Sequence, residues 1–174
     1  MNSPDFKNRY VTAISSLPLP PTVRSRVTEF VPFHERDVAE LNEVDAHTLV
    51  TQGLPRAAAP FLSFRVYTGG EIASLRRERS LPNDCFPIGQ TGAGDLLVVD
   101  LPSGNVVYLN HDSSNRPVFI NSALPKFYES LCIYREHLTA KAVNTSLVAI
   151  RSIDPPACAS GAMWHSELAE DSAG

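Results

Sequence analysis

Thr91-Gly92-Ala93-Gly94-Asp95-Leu96-Leu97-Val98-Val99-Asp100-Leu101-Pro102-Ser103-Gly104-Asn105-Val106-Val107-Tyr108-Leu109-Asn110 decides the fold class. It holds two apolar, β-branched runs, 96–100 and 106–110. Each follows a short cluster of Gly, Pro, Ser, Asn and Asp, the residues that supply positive φ or pre-set a turn. A parallel pair needs a long crossover, so strands joined this closely form an antiparallel sheet. Outward from this pair, residues 85–89 read as a preceding strand, 111–116 as a polar loop and 118–120 as a last short strand. Further upstream, Phe61, Leu62, Phe64, Val66 and Tyr67 are β-prone, with Leu62, Phe64 and Val66 on one face.

Helical spacing takes over on both sides of this meander. Residues 4–16 read as a short helix through Phe6, Tyr10, Val11 and Ile14, ended by Pro18, Pro20 and Pro21. Residues 27–33 read as a short strand or extended entry. Asp45 reads as the N-cap of a short helix and Gly53 as its αL C-cap, with Leu54-Pro55 closing it. Gly69-Gly70 is a turn or linker, and 71–81 is ambiguous. After the sheet, Asn121 or Ser122 caps a helix running to about Leu138, with Leu124, Phe127 and Leu131 on its apolar stripe. A further helix covers 142–153 and stops at Asp154-Pro155-Pro156. A final element carries Trp164, a core anchor or else an interface residue, and the tail after Glu170 is polar. The fold class is therefore α+β, a central, mostly antiparallel sheet with helices before and after it. The expected core is Phe61, Leu62, Phe64, Ile88, Leu97, Val99, Val107, Leu109, Phe119, Phe127, Leu131 and Trp164. Leu97 and Val99 are expected on one row with Val107 and Leu109, and Leu96, Val98, Val106 and Tyr108 on the other.

Composition narrows the function classes. The 174 residues are 43% hydrophobic and 20% charged, enough for one domain with a real core. The net charge of −4, with no basic tract longer than Arg76-Arg77-Glu78-Arg79, argues against nucleic acid as a direct ligand. Three widely spaced cysteines without a C-x-x-C pair, no apolar run long enough to span a bilayer and no leader pattern give a cytoplasmic reading without membrane attachment.

The motifs that could carry chemistry fail in detail. Residues 89–94 resemble a phosphate loop, but no lysine follows, and the glycines precede a strand instead of opening a helix. His111-Asp112 lacks a nucleophile elbow and reads as a solvated turn. No two of the five histidines stand at metal-pair spacing, and Cys85 and Cys132 sit in apolar surroundings that favour an inert thiol. No catalytic residue, metal ligand or cofactor is assigned. The densest single-sign patch is 29–45, with Glu29, Glu35, Asp37, Glu40, Glu43 and Asp45 against Arg36.

The order of these signals resembles the SUKH superfamily, most closely its fourth subgroup of bacterial immunity proteins. The resemblance is carried by Gln52-Gly53-Leu54-Pro55, Ala59-Pro60-Phe61-Leu62-Ser63-Phe64, Ile88-Gly89, Gly92-Ala93-Gly94-Asp95, Asp100 with Ser103-Gly104-Asn105-Val106-Val107, Phe119-Ile120-Asn121-Ser122-Ala123-Leu124, and Asp154-Pro155 followed by Trp164. It places a single domain over 1–174, with a SUKH-like region at about 30–168 and an N-terminal extension at 1–29. It implies an immunity protein that binds and neutralises a cognate polymorphic toxin domain, a nuclease or nucleic-acid deaminase. Other superfamily members act as intracellular regulators, so a regulatory scaffold is the alternative; an enzyme is a third reading without motif support. For a basic partner the candidate contacts are Glu35, Asp37, Glu40 and Glu43, with Asp95 and Asp112 at the sheet loops as second choice.

Overall fold

The computed structural model describes residues 6–15 and 17–170. Seven α-helices and eight strands follow one another along these residues. Helix α1 (Phe6–Ser15) and helix α2 (Pro21–Thr28) precede strand β1 (Phe30–Val31), which pairs with β2 (Leu54–Pro55) across α3 (Glu43–Gln52). The main sheet follows: β3 (Ala57–Ala58), β4 (Leu62–Phe64), β5 (Cys85–Thr91), β6 (Leu96–Asp100), β7 (Val106–Asn110) and β8 (Arg116–Asn121), with α4 (Gly69–Glu78) inserted between β4 and β5. Helices α5 (Leu124–Thr139), α6 (Ser146–Ile153) and α7 (Met163–Glu170) close the chain. Every strand of the six-stranded sheet pairs antiparallel with its sequence neighbour, as the tight turns require. The α+β expectation therefore stands.

Several local readings are corrected. Val27 and Thr28, read as the start of a strand or extended entry, end a helix over 21–28, and the strand of that stretch is Phe30–Val31; Pro21 sits at the first helical position, where its missing N–H costs nothing. The N-cap of α3 is Asn42, whose side chain accepts from the Asp45 N–H at 2.9 Å, so Asp45 is the third residue of the helix, in its first turn. Gly53 does cap that helix with φ of +62°, but its ψ of −175° is extended and not αL. Gly69 and Gly70 begin α4, capped by Thr68 and Glu71 in a reciprocal box. Helix α5 starts after Ala123, because Asn121 and Ser122 turn their side chains elsewhere. The ends of the 4–16 helix and the tail after Glu170 lie outside the described residues.

The sheet register regroups the core. Leu97 lies opposite Tyr108 and Val99 opposite Val106, so the Leu97 row continues into β7 through Val106 and Tyr108, not through Val107 and Leu109. Phe64, opposite Gly89 on that row, meets Phe127 of α5 edge-on at 5.9 Å, which identifies it as the helix-facing side. The other row, Leu96, Val98, Val107 and Leu109, is buried as well. Helix α1 packs on α5. Of the expected core, Phe119 is half-buried and Phe61 is 76% exposed; the remainder is buried.

Strand β5 bulges between Pro87 and Gly89, and there β4 comes very close: a Cβ on Gly89 would stand 2.2 Å from the Ser63 carbonyl oxygen. Gly89→Ala must push the β4 backbone away from β5. Thermal or denaturant unfolding should show a loss of about 1–3 kcal/mol, the usual cost of overpacking a filled core. An unchanged midpoint would mean that the two strands are less tightly registered than described.

Candidate partner-binding site

The motif residues of the C-terminal half build one buried polar latch. Asp154, at 0% exposure, accepts from the Asn121 amide at 2.9 Å, the Ser122 N–H at 2.8 Å and the Ser122 hydroxyl at 2.8 Å. Lys126 approaches Oδ1, the oxygen that also accepts the Ser122 hydroxyl, at 3.3 Å. Asn121 also donates to Ser130 at 3.0 Å and accepts the Trp164 indole N–H at 3.0 Å. The latch thus ties the end of β8 to α5, to the end of α6 and to α7. Burial works to raise the Asp154 carboxyl, and the hydrogen bonds from Ser122 and Asn121, with Lys126, overcome it and hold it below the ordinary carboxylate range. Every partner is internal, so this set shapes the scaffold.

The remaining chemistry-bearing residues are also structurally engaged. His111 places Nδ1 2.6 Å from Asp95 and Nε2 3.3 Å from Asp112, leaving neither ring nitrogen for a serine hydroxyl. Cys85, Cys132 and Cys158 are buried thiols outside any disulfide, and burial, helped by Asp84 and Asp100, pushes Cys85 up to about 11. Among the described residues no three His, Cys, Asp or Glu side chains gather as a metal group. The Thr91–Asp95 segment is a hairpin turn: Gly94 has φ of +88° and donates to the Thr91 carbonyl at 3.0 Å.

The six candidate contacts separate onto the two ends of the sheet. In a meander the hairpin tips alternate, so the β5–β6 and β7–β8 tips share one end and the β6–β7 tip lies at the other. Asp95 and Asp112 belong to the first end. Asp112 is 86% exposed in its side chain, whereas Asp95 is 7% exposed as a residue and committed to His111 and Thr91. Of the 29–45 stretch, Asp45 lies toward the opposite end, where it approaches Gly104 of the β6–β7 turn, and Glu40 is tied there through Arg76 to Asn83, just ahead of β5.

Within that stretch the carboxylates are not equivalent. Asp37 accepts the His34 N–H at 3.0 Å, Glu40 holds Arg76 at 3.0 Å and Glu29 holds Arg56 at 2.7 Å. Asp45 is buried against Asn42, and burial raises its carboxyl. Glu35 and Glu43 stand exposed, and Val44 beside them is 64% exposed. Two further carboxylates join this rim that the sequence reading did not include. Arg76 bridges Glu40 to the Asn83 carbonyl, which brings in Asp84, and the Leu101 N–H donates to the Asp84 carbonyl beside Asp100. The signal for both was their place at the two paired ends of β5 and β6.

A comparison with known families gives this scaffold its place. The family model described as SUKH-4 immunity protein matches residues 26–171, nearly the whole chain. The chain belongs to the SUKH-4 immunity protein family. No curated protein and no solved structure matches it significantly. Within the span matched to SUKH-4, the helix cap Gly53, the hairpin glycines and the Asn121–Asp154–Trp164 latch fix backbone and packing. No helix among the described residues is long and apolar enough to cross a membrane.

Proposed function

We propose that this chain is a cytoplasmic immunity protein that binds one cognate toxin domain, blocks it by occlusion and turns over no substrate. The observation that carries this reading is the SUKH-4 match over 26–171. The toxin is a nuclease or nucleic-acid deaminase: enzymes that grip phosphates present a basic face, and the net charge of −4 complements it. Glu35, Asp37, Glu40 and Glu43, joined by Asp84 and Asp100, form the acidic rim that guides the toxin's approach, with Val44 as an apolar contact within it. Asp112 adds charge at the far end of the sheet.

Co-expression with the toxin domain of an adjacent gene is the test. Cells should grow when both are made and stop growing when the toxin is made alone. Continued killing in the presence of folded protein rejects immunity for that pair.

A further inference from the structure

Among the described residues the exposed large apolar side chains are Val23, Val44, Phe61, Leu138 and Val148. Phe61 is the most exposed of them, at 76%, and the only aromatic. Its backbone is also unusual, with φ of +52°, a region that suits Gly or Asn and strains a bulky side chain. Folding of the free chain accounts for neither property. The ring buries little area, and a glycine or asparagine would follow the same corner more easily. Side chains held against their own backbone preference and turned outward mark functional positions.

The corner is rigid. Pro60 and Leu62 are buried on either side, and Leu62 is registered opposite Thr91. The neighbouring hairpin makes room for the ring, because a Cβ on Gly92 would stand 3.2 Å from that of Phe61. That hairpin is pinned in turn by Arg79, which donates to the Gly94 carbonyl at 2.9 Å. A convex, preorganised ring loses little freedom on binding and fits a pocket in another molecule. The exposed hairpin residues beside it, Gln90, Gly92 and Ala93, are uncharged, and the lone guanidinium of Arg79 at Gly94 is not the basic cluster, nor the ring the broad apolar face, that a membrane requires.

We propose that Phe61 is the apolar anchor of the partner interface, seated in an apolar pocket of the toxin domain; this rests on the immunity reading above. Phe61 lies beside the β5–β6 tip, at the end of the sheet opposite the acidic rim. The two features therefore divide the work. The rim's long-range field sets the rate of encounter, and the anchor sets the lifetime of the complex.

Binding kinetics of the full chain against the adjacent-gene toxin domain, made catalytically inactive, test this. Phe61→Ala should dissociate about 30-fold faster or more, the signature of a hot spot, with its association rate within about twofold of the parent. Phe61→Asn should lose binding to the same degree while melting at or above the parent temperature, because asparagine tolerates the positive φ. Unchanged dissociation in both variants overturns the anchor, as does a lower melting temperature for Phe61→Asn, which would make the ring a support of the fold. Self-association of the parent that Phe61→Ala abolishes assigns the ring to a second copy and also overturns the proposal. If the parent chain itself does not bind, the immunity reading fails for that pair and the anchor with it.

Discussion

Asp154→Ala should lower stability by about 3–5 kcal/mol, the range for deleting one partner of a buried charged network. The loss is large because three donors from Asn121 and Ser122 converge on this one carboxylate. Removing it strands the fully buried Asn121 amide and leaves the part-buried Ser122 donors without their acceptor. In a chain of this length the change corresponds to roughly 10 °C in melting temperature. Asp154→Asn should fall between, since the amide keeps one acceptor and turns a second donor toward the others. The acid limb of the stability curve supplies a second readout. The folded-state carboxyl lies below its unfolded value, so its contribution is present above the unfolded pKa and is lost as pH falls through the folded one. The alanine variant should therefore lose stability less steeply in that acid window than the parent. A variant within about 1 kcal/mol of the parent at neutral pH would show that the latch is not under tension from buried donors.

Reversal of Glu35, Glu43 and Asp84 to lysine should slow association with a basic toxin domain by about tenfold or more and flatten its dependence on salt. These three are chosen because they are exposed and their carboxylates make no hydrogen bond or ion pair to another of the described residues. Asp37 and Glu40 would be poorer choices, since the first caps a 3₁₀ turn and the second holds Arg76 against the sheet end. Stability should stay within about 0.5 kcal/mol, as expected for exposed charges. The measurement is stopped-flow association across a salt series, with unfolding curves alongside. Rates that match the parent at every salt concentration would move the point of approach away from this rim.

The meander was legible because its information is local. Turn residues between β-branched runs name the hairpins, and short connections fix the strand order. What escaped was whatever depends on partners distant in sequence. Asn121 and Ser122 have the chemistry of helix caps, yet they serve Asp154, more than 30 residues on, which no local pattern reveals. Pro20 and Pro21 read as a stop after α1, but the same residues start α2. Alternation correctly marked β6 and β7 as buried without saying which row of one faces which row of the other, because that depends on turn geometry. Phe61 misled for the opposite reason: hydrophobicity is visible in a sequence and backbone φ is not. The acidic stretch was visible as charge, while its division into braced and free carboxylates appeared only with Arg56, Arg76 and Asn42 in place.

A sheet in which each strand pairs only with the next one has a consequence for how such a chain can diversify. No strand is threaded between strands distant in sequence, so a hairpin tip can lengthen, shorten or exchange residues without rerouting the backbone. The Phe61 corner and the β5–β6 and β7–β8 tips all lie at one end of the sheet, while the latch ties β8 to the C-terminal helices. Changes at the tips leave the Asn121–Asp154–Trp164 hydrogen bonds untouched. Under the immunity function proposed above, a lineage pressed by changing toxins can therefore rewrite these tips while the frame beneath stays fixed, and it can inherit a new specificity without first surviving a loss of stability.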